Sequence, residues 1–465
     1  MIHLRGYLAL SLLFTGCVEP LANTSAGESS SSGAAESSGT PTTGAGSEES
    51  SGSGAESSSG GGSSSSGEAP AVCGDGVVAG EEACDDASDE PLDGCDRKCR
   101  LTATELWTQS WDSGLKKDDE AYAVTLDADG NIYVAGYVRD VGRDALLRKL
   151  DPAGKELLSV SFVGELGLDE GAVAVAVAAD GSIFLGGFEA LDDKKRYQGW
   201  LRKYDPAGKQ LWVYLHSSAV MDGGAFVQNI ALGDGGEIYI SGSHNVVDTK
   251  TYESFVERIA PDGSKALWTE VVVDVPSQFH GGLALTPTGD VVLGTAEFAA
   301  PMDPRPWLGA FDPDGTLLWK QTYLPDGGYV SGVVVAEDGT IYATGVATLN
   351  TADVWVARLD GAGAELWSEY INPDYGYDWG HGIAAAPDGG FYVGGVATVT
   401  NQQQNGLVRR YDAEGVALWT DIHDDETSLY DSIEAIALGA DGLVAVGTEF
   451  VLMHGQNQWI RKYAL

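Results

Sequence analysis

From residue 101 onward, short runs of alternating apolar and polar residues are interrupted at intervals of about ten positions by turns that contain glycine. Alternation with a period of two is typical of β-strands that bury one face. One turn, resembling Asp-Gly-x-Ile-Tyr, recurs and is followed each time by an apolar strand. Its glycines are 50 to 55 residues apart, at Gly130, Gly181, Gly236, Gly289, Gly339, Gly389 and Gly442. The pattern predicts seven copies of one all-β unit.

Each of the first six units contains a second turn, as at residues 151–154, and the strand after it opens on Leu-Trp in five of them. Four antiparallel strands per unit make one blade of a β-propeller. We therefore predict an all-β fold in which residues 101–465 form a seven-bladed β-propeller. Recurrent aromatic residues before the second turn predict packing between blades, at Trp200, Phe255, Trp307, Trp355 and Trp459.

The seventh unit ends after its third strand, at residues 459–465, with no Leu-Trp strand left to use. The stretch 105–111, Glu-Leu-Trp-Thr-Gln-Ser-Trp, precedes the first unit and matches Glu-Leu-Trp-Ser-Glu-Tyr at 365–370. We predict that 105–111 pairs with the C-terminal strand, because this closes the ring and removes both open sheet edges.

These repeats resemble the SBBP-type seven-bladed propeller repeats of bacterial exported proteins and, more distantly, the blades of pyrroloquinoline quinone enzymes. The first resemblance implies the architecture and says little about function. The second implies a quinone-dependent oxidoreductase as an alternative. Such enzymes often have eight blades and sometimes a pair of adjacent cysteines, whereas this repeat region has seven units and no cysteine.

The N-terminus has a basic start and a short apolar run, which is typical of a signal peptide over residues 1–16. The sequence LFTGC that ends at Cys17 resembles the bacterial lipobox, which implies lipidation of Cys17 and a lipid-bearing N-terminus at 17–22. Residues 23–70 are almost entirely Ser, Gly, Ala, Thr and Glu, a composition that predicts a disordered linker. The alternative to the lipobox at Cys17 is an ordinary secretory signal peptide followed by an incidental cysteine.

Four cysteines lie within 27 residues, in a segment that we assign as a cysteine-rich module over 71–100; they are Cys73, Cys84, Cys95 and Cys99. An even number in an exported chain predicts two disulfides, with three connectivities open. The segment resembles a small cysteine-rich repeat of myxobacterial exported proteins. Its carboxylates are candidate Ca²⁺ ligands, with a solvated acidic surface as the alternative, at Asp75, Asp85, Asp86 and Asp93.

The net charge of -42 excludes nucleic acid as a partner, because neutralising phosphates requires clustered Lys and Arg. The same charge favours solubility and the attraction of cations. We expect no cofactor, with Ca²⁺ as the one candidate of the non-catalytic interpretation.

Loops that lead into the innermost strands should meet at one mouth of the central channel. They carry the candidate ligand-binding residues Asp119, Glu120, Asp169, Glu170, Phe279, His280, Tyr329, Asp378, Trp379, His381 and Asp431. Such side chains suit a glycan, a protein or a cation, and a merely solvated acidic rim is the alternative.

We expect a non-catalytic binding module of the cell envelope, lipid-anchored in the outer membrane or at the cell surface. A polysaccharide lyase or hydrolase is the alternative, although no catalytic motif is present and we assign no catalytic residue.

Overall fold

The computed structural model describes Val78, Cys84, residues 93–95 and most of 101–465. Outside the described residues in the latter range are 116, 141, 165, 193–195, 217–223, 247–250, 273–280, 301–302, 324–326, 349–351, 373–375, 400–403, 424–429 and 452–454. At 93–94, 245–246, 251–252, 298–300 and 303 the description covers the backbone alone. Cys17, Cys73, Cys99, Asp75, Asp85, Asp86, Phe279 and His280 lie outside it, and Asp93 is described by its backbone.

The described residues contain strands and no helix, so none that could cross a membrane. Two strands precede the first blade: β1 (Asp93–Cys95) and β2 (Leu101–Trp111). Blade 1 comprises β3 (Asp119–Leu126), β4 (Ile132–Arg139), β5 (Arg143–Leu150) and β6 (Glu156–Phe162). Blade 2 comprises β7 (Glu170–Val177), β8 (Ile183–Ala190), β9 (Tyr197–Tyr204) and β10 (Gln210–Leu215). Blade 3 comprises β11 (Ala225–Leu232), β12 (Ile238–Val246), β13 (Thr251–Ile259) and β14 (Ala266–Val272).

Three further four-stranded blades follow the same order. Blade 4 comprises β15 (Leu283–Leu285), β16 (Val291–Ala300), β17 (Asp303–Phe311) and β18 (Leu317–Thr322). Blade 5 comprises β19 (Gly328–Val335), β20 (Ile341–Thr348), β21 (Ala352–Leu359) and β22 (Glu365–Ile371). Blade 6 comprises β23 (Trp379–Ala385), β24 (Phe391–Thr398), β25 (Gln404–Tyr411) and β26 (Ala417–His423). Blade 7 comprises β27 (Asp431–Gly439), β28 (Gly442–Val451) and β29 (Gly455–Tyr463), completed by β2 and β1. The seven-bladed propeller is confirmed.

The N-terminal strand closes the ring as predicted. Strand β2 pairs antiparallel with β29, with Trp107 opposite Lys462 and Ser110 opposite Trp459. Arg461 holds the junction, because its Nε lies 2.7 Å from Thr108 Oγ1 and its Nη1 lies 2.9 Å from Asp421 Oδ2. The last blade therefore joins strands from the two ends of the repeat region, and its edge is not left open.

The cysteine-rich segment is attached to this closing blade. Strand β1 pairs antiparallel with β2, which makes the sheet five-stranded, and places Cys95 opposite Leu101. A disulfide joins Cys84 to Cys95. This bond selects one of the three connectivities that the cysteine count leaves open; the pairing of Cys73 with Cys99 stays a prediction.

The second turn of each unit explains why its sequence recurs. In blade 1, Asp151 Oδ1 accepts hydrogen bonds from the backbone N–H groups of Ala153 and Lys155, at 3.0 and 2.9 Å. In four of the five Leu-Trp pairs the Trp packs against the turn of the following blade; they are Trp212, Trp268, Trp319 and Trp367. Trp268 Nε1, for example, donates to Pro313 O at 2.9 Å, and a Cβ at Gly263 would lie 2.5 Å from the Trp212 ring. Turn glycines are thus required by close packing between blades as well as by positive φ.

The recurrent aromatic residues before that turn are almost completely buried, as predicted; they are Trp200, Phe255, Trp307, Trp355 and Trp459. The apolar core is divided into clusters of this kind, most of which join the strands of two neighbouring blades. Rigid contacts between blades fix the relative positions of the innermost strands, and through them the geometry of the channel.

Candidate binding site at the channel mouth

The innermost strand of each blade packs against the innermost strand of the next, and β27 packs against β3, so that these strands surround a central channel. Because each blade repeats the same up-and-down order, every innermost strand begins at the same end of the channel, which we call the mouth. The hairpins between the second and third strands lie at the same end, so that residues near 139–143 belong to the mouth as well.

A β-bulge interrupts the innermost strands close to the mouth. In β3 it falls between Ala121 and Ala123, and in β23 between Gly380 and Gly382. A bulge inserts one extra residue and re-aims its side chain. The extra residues are Tyr122, Val173, Gln228, Ser331, His381 and Glu434 in blades 1, 2, 3, 5, 6 and 7. They are all half-buried, and they form a ring whose members differ in chemistry from blade to blade.

Two of these residues form an ion pair between blades 6 and 7. His381 Nδ1 lies 3.2 Å from Glu434 Oε2 and 3.0 Å from the carbonyl oxygen of Ile433. The two side chains remain 24 % and 22 % exposed. Burial opposes both charges, but the pairing outweighs it: the pKa of His381 is raised and the pKa of Glu434 is lowered. Burial and the charge of Glu434 together raise the pKa of the half-buried Tyr329 hydroxyl, on the innermost strand of blade 5.

A second polar group lies in blade 1, and we call it the Arg143 cluster; its members are Glu120, Tyr122, Tyr137, Arg143 and Asp169. The hydroxyls of both tyrosines donate to the Glu120 carboxylate, and the two rings are 5.9 Å apart. The Arg143 guanidinium carbon lies 4.8 Å from the centre of the Tyr137 ring. The backbone N–H of Arg143 donates to Asp169 Oδ1 at 3.2 Å. Burial, more than any neighbour, raises the pKa of Glu120.

The remaining predicted carboxylates lie behind the surface of the mouth. Asp119 Oδ2 accepts a hydrogen bond from the Ser113 N–H at 2.7 Å, and Asp378 Oδ1 accepts one from the Thr398 N–H at 2.6 Å. Glu170 lies 2.5 Å from Arg202 Nη2, and burial raises the pKa of Glu170 to about 7. These three residues and Asp431 are all at most 1 % exposed. Through these contacts Asp119, Glu170 and Asp378 anchor the beginnings of the innermost strands.

The rim next to the His381–Glu434 pair carries two aromatic rings. Tyr377 and Trp379 are stacked, with ring centres 6.4 Å apart and planes inclined by 21°. The Tyr377 side chain is among the most exposed in the described structure, at 63 %, while Trp379 is half-buried. Hydrogen bonds between Thr398 and the backbone of Tyr377 fix the position of the rim.

The structure thus places Glu120 and Asp169, which directly precedes blade 2, near Arg143, and pairs His381 with Glu434. Sequence reasoning missed Tyr122, Tyr137, Arg143 and Glu434. A signal for Glu434 was present, because a carboxylate interrupts the apolar strand β27 at the position where blade 2 has Val173. No group of three or more potential metal-ligating side chains occurs within the described part of the chain.

Comparison with known proteins gives distant matches among solved structures alone. The chain matches no protein-family model and no curated protein. A protein of unknown function from Dyadobacter fermentans is 13 % identical, with 78 % of this chain and 99 % of that chain covered and a TM-score of 0.46. The β-propeller domain of the Trilobed protease from Pyrococcus furiosus is 10 % identical, with coverage of 75 % and 98 % and a TM-score of 0.43. At these identities the likeness concerns the fold alone.

Proposed function

We propose that this chain is an exported lipoprotein that presents its β-propeller as a non-catalytic glycan-binding module. In this proposal the signal peptide 1–16 is removed, Cys17 carries the lipid in the outer membrane or at the cell surface, and residues 23–70 act as a flexible tether. The lipobox, the myxobacterial-type cysteine-rich segment and the SBBP-type repeats support this assignment by resemblance. Retention of a Cys17→Ser variant in the membrane fraction would contradict the anchor.

The observation that carries the proposal is the exposed Tyr377–Trp379 stack beside half-buried hydrogen-bonding side chains of the channel wall. Sugar rings combine an apolar C–H face with hydroxyl groups. Aromatic rings provide a flat apolar surface for the C–H face of a sugar. Because they have few rotatable bonds, they lose little conformational entropy on binding. Carboxylates, imidazoles and tyrosine hydroxyls provide donors and acceptors for the hydroxyl groups. Binding sites typically combine these two kinds of lining.

The test is binding of the full chain, carrying Cys17→Ser for solubility, to a panel of bacterial and plant oligosaccharides by calorimetry and thermal shift. For any oligosaccharide that binds, we expect Tyr377→Ala to weaken binding about tenfold or more, the loss of roughly 1.4 kcal/mol or more. Leu366→Ala is the matched control, because Leu366 is an exposed apolar residue at the start of the outermost strand β22, at the end of the blade opposite the mouth. Equal effects of the two substitutions, or no binding by any glycan, would refute the proposal.

One observation favours an enzyme as the second candidate. The His381–Glu434 pair joins an imidazole to a carboxylate in a partly exposed channel, which is a combination that acid–base catalysis uses. A lyase or hydrolase would shorten a bound polysaccharide, with new reducing ends that His381→Ala abolishes. Binding without a change in the chain length of the glycan supports the non-catalytic proposal.

A further inference from the structure

Arg143 is a buried cation whose hydrogen-bonding capacity is incompletely used. Its side chain is only 3 % exposed, and its Nε has no hydrogen-bond partner among the described residues. A guanidinium carries five N–H donors and no acceptor. Leaving a buried donor without a partner is unfavourable, so the site favours any group that brings acceptor atoms to Arg143.

The neighbours of Arg143 have the opposite character. Glu120 and Asp169 interact electrostatically with Arg143. When ionised, their carboxylates accept hydrogen bonds and donate none. Each Glu120 oxygen receives one tyrosine hydroxyl, and a carboxylate oxygen has room for a second donor. Glu120 and Tyr122 are half-buried, and Tyr122 is the bulge residue of the innermost strand β3 near the mouth, so the cluster combines donors and acceptors side by side.

Charge decides which ligand group fits this arrangement. A carboxylate would satisfy Arg143 but would be repelled by Glu120 and Asp169, since like charges at short range are strongly unfavourable where water is scarce. A cation would satisfy the two carboxylates but would be repelled by Arg143 and would leave its Nε without an acceptor. A pair of adjacent hydroxyls carries no charge, accepts from the guanidinium and donates to the carboxylates.

We propose that the Arg143 cluster binds two adjacent hydroxyls of a neutral sugar, with Arg143 donating to them and Glu120 accepting from them. This inference rests on the proposed glycan-binding function and names its ligand class: a neutral glycan with free vicinal diols, in preference to a uronic acid polymer. The Tyr377–Trp379 stack contacts the apolar face of one sugar, and the Arg143 cluster selects the hydroxyl pattern of another.

The experiment changes the ligand first. Cellohexaose, maltohexaose, mannohexaose and hexagalacturonate are titrated into the full Cys17→Ser chain. The best neutral binder is then titrated again after periodate oxidation, which cleaves vicinal diols to aldehydes, and borohydride reduction of those aldehydes to alcohols. We expect binding of the neutral oligosaccharide at least tenfold tighter than that of hexagalacturonate, and a loss of at least tenfold after periodate treatment.

The matched protein variants are Arg143→Met and Arg148→Met. Arg148 lies on the same strand and is also 3 % exposed, but its Nε is 3.0 Å from Glu156 Oε2. We expect only Arg143→Met to weaken binding, by tenfold or more, and Arg143→Lys to weaken it less. If binding depends on Tyr377 but is unaffected by periodate treatment or by Arg143→Met, the inference fails while the proposed function survives. Tighter binding of hexagalacturonate than of any neutral oligosaccharide also overturns it. Binding of none of them refutes both.

Discussion

Two polar clusters, each centred on a glutamate, differ in how far their members are exposed. The Arg143 cluster in blade 1 has half-buried members at the channel mouth and a guanidinium nitrogen without a partner. The second, which we call the seam cluster, lies between blades 2 and 3 and consists of Tyr214, His216, His244, Glu257 and Thr269. Glu257 accepts hydrogen bonds from Tyr214 and Thr269, both at 2.9 Å, and one of its oxygens lies 3.2 Å from His216 Nδ1.

The difference distinguishes a polar cluster that stabilises the fold from one that can bind a ligand. Glu257 is only 2 % exposed and has three partners in the protein, so a ligand neither reaches nor completes this carboxylate, although ring nitrogens of His216 and His244 have no hydrogen-bond partner among the described residues. His216 stacks on Phe255 with ring centres 3.8 Å apart, which covers the imidazole as well. A polar cluster enclosed in the core strengthens and specifies the fold, whereas one with half-buried members at the channel mouth is a place for a ligand. The residue types alone do not distinguish the two.

The largest effect that tests this comparison is expected in the seam cluster. Glu257→Ala leaves His216, Tyr214 and Thr269 without their common acceptor, and each buried donor left without a partner costs about 1–3 kcal/mol. We expect a loss of about 3–5 kcal/mol in the free energy of unfolding, measured by urea titration. Glycan binding at temperatures where the variant is folded should be unchanged. A loss below about 1 kcal/mol would show that the seam cluster is not structural.

The next effect is a dependence of stability on pH. Burial and the neighbouring His216 lower the pKa of His244 to about 4, although Glu257 opposes this. The folded state therefore prefers neutral His244, while the unfolded chain binds a proton below its ordinary pKa of about 6.5. The stabilisation is complete above that value and is lost as the pH falls toward 4, by up to roughly 3 kcal/mol. Glu253, 3.4 Å from His244 Nε2, and Glu257 are the acidic groups that face it.

The measurement is urea unfolding at several pH values between 7 and 4, with His244→Gln as the comparison. This variant cannot take up the proton, so we expect its stability to fall less steeply with acidification than that of the parent chain. Identical slopes for the two proteins would contradict the assignment.

The seven-bladed fold could be predicted from sequence because each blade repeats its turn signals and its Leu-Trp strand at a nearly constant period. The closure by β2 followed from one missing strand. The site was less predictable for a physical reason: a bulge shifts the register by one residue, and a shift of one residue exchanges the two faces of a strand. The bulges at Tyr122 and Glu434 cannot be recognised from the sequence, so the strand pattern alone does not predict on which side of the strand these side chains lie. Nor can it show that Asp119 and Asp378 accept backbone hydrogen bonds.

The smallest effect concerns the His381–Glu434 pair, which resembles the seam cluster in composition and the Arg143 cluster in exposure. Because both side chains keep contact with solvent, the pair contributes little to folding, and we expect Glu434→Gln to change the free energy of unfolding by about 1 kcal/mol or less. The same substitution removes a charged acceptor from the channel wall, so we expect it to weaken glycan binding by about fivefold, near 1 kcal/mol. Glu369→Gln is the control, because Glu369 pairs with Arg409 at 3.2 Å on the outer part of the molecule. A large loss of stability with unchanged binding would show that the His381–Glu434 pair, like the seam cluster, stabilises the fold. Polar side chains of the channel wall would then include structural as well as ligand-binding groups.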